Sequence, residues 1–169
     1  MSEKLPAATL PDKESVLREM AAHPAVAALT AWNEAALTDA RWDRDELTLT
    51  IAREEIVNAG LTVQKAGYNF LEDVTAVDWL PASPRFQVSY HIVSHKLKER
   101  IRLRVMLDEA SPAVETITSV WPSANYYERE VFDLFGIRFD EHPNLRRIMM
   151  PEDWSGHPLR KDYPVEGYR

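Results

Sequence analysis

The sequence predicts an α+β domain: a largely antiparallel sheet with helices packed on one face, followed by an extended, proline-interrupted C-terminal arm. Three observations carry this reading. Residues 86–92 and 101–107 alternate apolar and polar side chains with the two-residue period of half-buried strands. Stretches near 12–36, 53–66 and 123–135 instead space their apolar residues along one helix face. Beyond Gly136 the periodicity ends, and Pro143, Pro151, Pro158 and Pro164 prevent any long regular element.

In chain order, residues 1–11 are expected to be a flexible leader, interrupted by Pro6 and Pro11. The α+β domain is expected over 12–136 and the arm over 137–169. Asp12 is the expected N-cap of a helix with Val16, Leu17 and Met20 on one side. Pro24 interrupts, and an alanine-rich helix follows over about 25–36. In Glu46–Ile51, Leu47, Leu49 and Ile51 point one way and Thr48 and Thr50 the other. That pattern predicts a half-buried strand, with residues 40–42 as its hairpin partner. A helix over 53–66 places Ile56, Gly60, Val63 and Gly67 on one face. Each helical glycine costs roughly 1 kcal/mol against alanine, so two on a packed face predict close approach to a sheet.

Residues 70–79 read as another strand, ended by the Pro-Ala-Ser-Pro turn at 81–84. The two clearest strands follow, joined by a polar turn around Lys96 and Lys98 into an antiparallel hairpin. Arg100, Arg102 and Arg104 share the wet face of that hairpin. They are expected to be a solvated row that resists edge-to-edge aggregation. The sharper alternative is a basic stripe that meets an acidic partner.

Composition narrows the function. The net charge of −7 argues against a general nucleic-acid binder. The absence of cysteine excludes disulfides, thiol nucleophiles and an iron–sulfur cluster on its usual thiolates. The start MSEKLPAATLPDKE lacks the layout of a signal peptide, and no apolar run approaches the ~20 residues of a membrane span. A cytoplasmic protein, or a peripheral one on a cytoplasmic face, is expected.

The last helix, capped by Ser123 or Asn125, runs to Phe135. Tyr127, Val131, Leu134 and Phe135 share its apolar face, while Arg129 and Asp133 lie opposite, four apart and able to pair. Glu128 falls on the apolar side, where an unpaired carboxylate loses its hydration without return. A cation is therefore expected beside it, with Arg138, Arg146, Arg147 and Arg160 as candidates. Glu128, Glu130, Asp133, His142 and His157 also admit a metal-dependent hydrolase reading. No second histidine sits at ligand spacing, and salt bridges account for these charges more simply. There is no phosphate-binding glycine loop, no zinc-protease motif and no nucleophile elbow.

From Trp121 onward the chain closely resembles a known family. The run from Glu128 through Val131-Phe132-Asp133-Leu134-Phe135-Gly136 carries the likeness, continued by His142-Pro143-Asn144-Leu145-Arg146-Arg147-Ile148. Pro151-Glu152-Asp153-Trp154 and Gly156-His157-Pro158-Leu159-Arg160-Lys161-Asp162-Tyr163 complete it. The family is the thirty-kilodalton subunit (lettered C) of bacterial NADH:quinone oxidoreductase, also called respiratory complex I or NDH-1. The likeness extends at the level of pattern back to Leu47.

The resemblance implies a subunit with no redox centre of its own. The parent translocase passes electrons from NADH through FMN and iron–sulfur clusters to quinone and pumps protons. The thirty-kilodalton chain would sit peripherally on the cytoplasmic face of the bacterial cell membrane, in the hydrophilic arm of the complex. There it would lie against the quinone-site subunit (lettered D) and near the iron–sulfur subunit (lettered B). Equivalent subunits of membrane-bound hydrogenases and ferredoxin-dependent complexes are the alternative.

An arm of residues 137–169 would span up to roughly 100 Å when extended, and its prolines lower the entropy lost on docking. The expected partner-binding residues are Glu128, Arg129 and Asp133 on the helix, then Arg138, His142, Leu145, Arg146 and Arg147. Trp154, His157, Arg160, Lys161 and Tyr163 follow. Truncation after Gly136 is expected to leave a folded body unable to bind the quinone-site subunit. The competing reading folds the arm back onto its own domain.

Overall fold

The structure is a computed structural model that describes residues 12–167. The expected leader, 1–11, lies outside the described residues, as do 168 and 169. Helix α1 (Lys13–Glu19) begins where Asp12 accepts the Ser15 N–H at 2.8 Å. Pro24 does not merely interrupt: it occupies the first turn of α2 (Pro24–Asn33), where its missing N–H costs nothing. A 3₁₀ turn, Glu34–Ala36, then leads into the sheet.

Five strands form the sheet: β1 (Leu37–Asp43), β2 (Glu46–Ile51), β3 (Phe70–Asp78), β4 (Phe86–Ser94) and β5 (Glu99–Leu107). Their order is β1-β2-β5-β4-β3. Every pairing is antiparallel except β2 with β5, which run parallel. The crossover between them includes α3 (Ile56–Lys65). One sheet face, with Leu47, Leu49, Leu103, Val105, Val88 and Tyr90, builds the core beneath the helices.

The other face differs from expectation. Thr48, Thr50 and Ser89 are buried although they sit on the polar side. The arginine row covers them. Arg104 Nε donates to Thr50 Oγ1 at 2.9 Å, and Arg102 Nε to His91 Nε2 at 2.9 Å. Arg100, Arg102 and Arg104 pair with Glu72, Glu46 and Asp39 of the same sheet. Because β5 lies inside the sheet, these arginines tie strands together instead of protecting an edge.

Gly60 does not meet the sheet, whereas a methyl group at Gly67 would lie 3.8 Å from Ser94 Oγ at the end of β4. A methyl group at Gly60 would lie 3.1 Å from Trp121 Cζ3, so this position admits a packed indole. Gly67 lies beyond the end of α3. Two short parallel strands, β6 (Ala113–Glu115) and β7 (Arg138–Asp140), flank α4 (Ala124–Phe135), and the sequence pattern does not announce them. Ile137 and Phe139 are core residues, so the chain leaves the body only after β7.

Candidate functional site

Helix α4 ends at Gly136, which takes the left-handed conformation (φ 70°) that ordinary residues disfavour. An α-helix leaves its last four carbonyls without partners. Here the returning arm supplies them. The Asp133 carbonyl accepts from Arg147 Nη1 at 3.1 Å and faces His157 Nδ1 at 2.9 Å. The Leu134 carbonyl accepts the Leu159 N–H at 3.0 Å. Arg160 donates to the carbonyls of Phe135 and Gly136. A side chain at Gly136 would come within 2.5 Å of His157, so this glycine serves both the turn and the arm's seat.

Asp133 is the centre of the arrangement. It is fully buried, and its Oδ2 accepts three successive arm amides, Ile148, Met149 and Met150, at 2.8–2.9 Å. Its Oδ1 pairs with Arg147, which also donates to the carbonyls of Trp154 and Gly156 at 3.0 and 2.9 Å. Burial alone would raise the Asp133 pKa, but the amides and Arg147 outweigh it and hold the carboxyl below its ordinary range.

Arg129 does not pair with Asp133, contrary to expectation. It is buried and donates to the carbonyls of Arg146 and Arg147 at 3.1 Å each. The helix face expected to be wet is therefore the arm's seat. Glu130 is exposed, while both Asp133 oxygens are engaged by N–H groups, so the two carboxylates share no metal site. Among the described residues no group of three or more His, Cys, Asp and Glu converges.

Farther along, the arm is clamped by a cluster that sequence reasoning missed. Arg85 is buried and binds Asp78 through Nε and Nη2, at 3.0 and 2.8 Å. It reaches Asp162 of the arm through Nη2 and Nη1, at 2.7 and 3.2 Å, and also pairs with Glu109. The Lys161 N–H donates to Asp78 Oδ2 at 2.9 Å. The hydrogen bonds to Asp78 and Asp162 raise the Arg85 pKa, and the hydrogen bonds from Arg85 and from the Lys161 and Leu80 amides hold Asp78 far below the usual carboxylate range. A usable signal existed: Asp78 pairs with Phe86 in the β3–β4 register, which puts Arg85 next to it.

Glu128 contradicts the expectation of a cationic partner. It is fully buried, with Oε1 accepting the Ile117 N–H at 2.9 Å and Oε2 against the Thr116 hydroxyl. His142 Nε2 lies 3.8 Å away, but it faces the Asn125 carbonyl at 3.1 Å while Nδ1 accepts the Asn144 N–H. That pattern is the neutral tautomer. Burial dominates, and the Glu128 pKa is pushed up to about 7.

Of the remaining expected partner-binding residues, Arg138 pairs with Asp140 on the surface and Arg146 is exposed. Leu145 packs against the protein's own core. The Tyr163 hydroxyl reaches the Ser155 carbonyl at 3.5 Å. Trp154 keeps 39% of its surface in solvent, and Ile148, Met149 and Leu159 of the same arm are also exposed. The arm thus turns much of its polar backbone and the Arg147 and Arg160 guanidinium groups toward the body, and several apolar side chains outward. No helix among the described residues is long and apolar enough to cross a membrane.

Comparison with known proteins bears on this geometry. A sequence model described as respiratory-chain NADH dehydrogenase, 30 Kd subunit, matches residues 49–169. The NADH-quinone oxidoreductase subunit lettered C of Citrifermentans bemidjiense is 49% identical over 133 residues, 78% of this chain and 83% of its own. Its counterpart of the same name in Roseiflexus sp. (strain RS-1) is 48% identical over 125 residues, 72% of each chain. The trypsin-resistant fragment (1-134) of Nqo5 superposes with TM-score 0.56 at 38% identity, over 59% of this chain and 83% of that one. A chain of an archaeal membrane-bound sulfane sulfur reductase shares the fold, with TM-score 0.71 at 21% identity, over 88% and 85%. With residues 49–169 matched by the family model and relatives nearly half identical over most of their length, the chain belongs to the respiratory-chain NADH dehydrogenase 30 Kd subunit family.

Proposed function

We propose that this chain is a non-redox structural subunit of a proton-translocating NADH:quinone oxidoreductase, and that its folded arm is the gripping surface. In this reading FMN, the iron–sulfur clusters and quinone belong to other subunits, and the chain contributes no catalytic centre. Its neighbours are the quinone-site and iron–sulfur subunits, those lettered D and B, in the hydrophilic arm on the cytoplasmic face of the membrane. The lack of cysteine supports the non-redox role. The 49% identity to an NADH-quinone oxidoreductase chain favours that complex over the hydrogenase- or ferredoxin-linked alternative.

The observation that carries the proposal is the inverted arm. Its Arg147, Arg160 and Asp162 are engaged by the chain's own body, at Asp133, the end of α4 and Arg85, while Ile148, Met149, Trp154 and Leu159 face outward. Exposed apolar groups on a chain segment already held in place are what an interface core requires, because little ordering entropy is left to lose. The test is co-purification. Met149→Glu with Trp154→Glu should leave the isolated chain folded and reduce recovery with the quinone-site subunit at least several-fold. Unchanged recovery would refute the proposal.

A further inference from the structure

The arginine row on the open sheet face is not balanced charge for charge. Arg100 and Arg102 each have a carboxylate, Glu72 and Glu46. Arg104 shares its carboxylate: Arg104 Nη2 and Arg41 Nε both donate to the same oxygen, Asp39 Oδ2, at 2.9 and 3.1 Å. Two guanidinium groups therefore rest on one acid, in a protein whose net charge is −7. The Arg104 side chain is mostly covered and its charge under-compensated. Burial pulls its pKa below the ordinary value, and the like charges of Arg41 and Arg102 add to that, despite Asp39.

Arg41 and Arg104 line a groove of about 390 Å³ between the β1–β2 hairpin and the turn at 81–84. The opposite wall is Trp79, 46% exposed and held by a hydrogen bond from its Nε1 to Gln87 Oε1 at 3.2 Å. Met106 and Pro84 complete an apolar side. An indole held beside an under-compensated arginine pair is built to receive an apolar side chain next to a carboxylate.

We infer that this groove docks an acidic segment of a neighbouring subunit, its carboxylate shared between Arg41 and Arg104 and its apolar neighbour against Trp79. It would be a second contact surface, separate from the arm. The inference rests on the reading of the chain as one component of a larger complex. A closely spaced ion pair of this kind directs orientation more than it adds affinity.

Hydroxyl-radical footprinting of the isolated chain and of the assembled complex tests it. Trp79 and Met106 should be several-fold less oxidised in the complex, as should Trp154 on the arm. Protection of Trp154 without Trp79 overturns this inference and leaves the reading as a complex component intact. Protection of neither defeats both. Arg41 is half exposed, so Arg41→Glu should keep the fold yet abolish Trp79 protection at raised ionic strength. If protection survives that reversal, the segment is not acidic. If millimolar inorganic phosphate shields Trp79 in the isolated chain, the groove is a small-anion site and the polypeptide partner is wrong.

Discussion

Glu128 and Gly136 are the two residues at which a single atom's surroundings decide an outcome. An unfolded glutamate titrates near 4.5, whereas in the fold Glu128 titrates near 7. The native state therefore holds the proton more tightly than the unfolded state, and the stability it confers is complete below about pH 4.5. It is lost as pH rises from there to about 7, by up to about 3 kcal/mol, and is level beyond. Glu128→Gln keeps an acceptor for the Ile117 N–H and offers an N–H to Thr116 Oγ1, without a charge to bury. Urea unfolding of this variant should show greater stability than wild type at pH 8 and near equality at pH 4.5. At Gly136 the prediction has the opposite sign. Gly136→Ala combines a left-handed backbone with a Cβ pressed on His157, and should cost about 2 kcal/mol or more. Thermal melts with and without the arm-side substitution His157→Ala would show the clash as non-additivity.

At the scale of elements, α4 and the arm form one unit, because each satisfies the other's backbone. Asp133→Asn removes the charge opposite Arg147 and sets an amide NH2 against donors on whichever side it takes, Arg147 or the three amides. Breaking a buried pair in this way costs about 3–5 kcal/mol, and the loss should appear in the denaturant midpoint. The Asp133 pKa is depressed, so the wild-type contribution is present above the unfolded carboxyl value near 3.8 and fades as pH falls through the native one. The variant's deficit should shrink correspondingly as pH falls below that unfolded value.

Much of this architecture was legible. The strand alternation, the Asp12 cap and the stop at Gly136 are local signals, and local signals survive folding. What was not legible depended on the returning arm. Plotted alone, α4 shows Arg129 and Asp133 on a polar face, but that face is buried by a segment 15–18 residues away, which no helical plot contains. The helix-periodic apolar face was likewise insufficient for Glu128, whose partners Thr116 and Ile117 come from an irregular loop. Residues expected to grip a partner, including Arg147, Arg160 and Leu145, make contacts within the chain itself, which their places in the sequence do not show.

For the whole molecule, the consequence is that body and arm cannot be separated at Gly136. A truncation there would strip β7 from its parallel partner β6 and leave Asp133 and the end of α4 without donors. The truncated chain should be insoluble or molten, and not the folded body that sequence alone suggests; near-ultraviolet circular dichroism distinguishes the two. Weakening the arm farther along is different. Asp162→Asn weakens only the Arg85 clamp and should loosen residues near 159–163 while Asp133 still holds 147–150. The central claim is that the arm is already seated before any partner arrives. Hydrogen exchange on the isolated full-length chain tests it most directly. The amides of Ile148, Met149 and Met150 should exchange only through near-global unfolding. Exchange at the rate of an unstructured peptide, with protection appearing only when a partner chain is added, would contradict it.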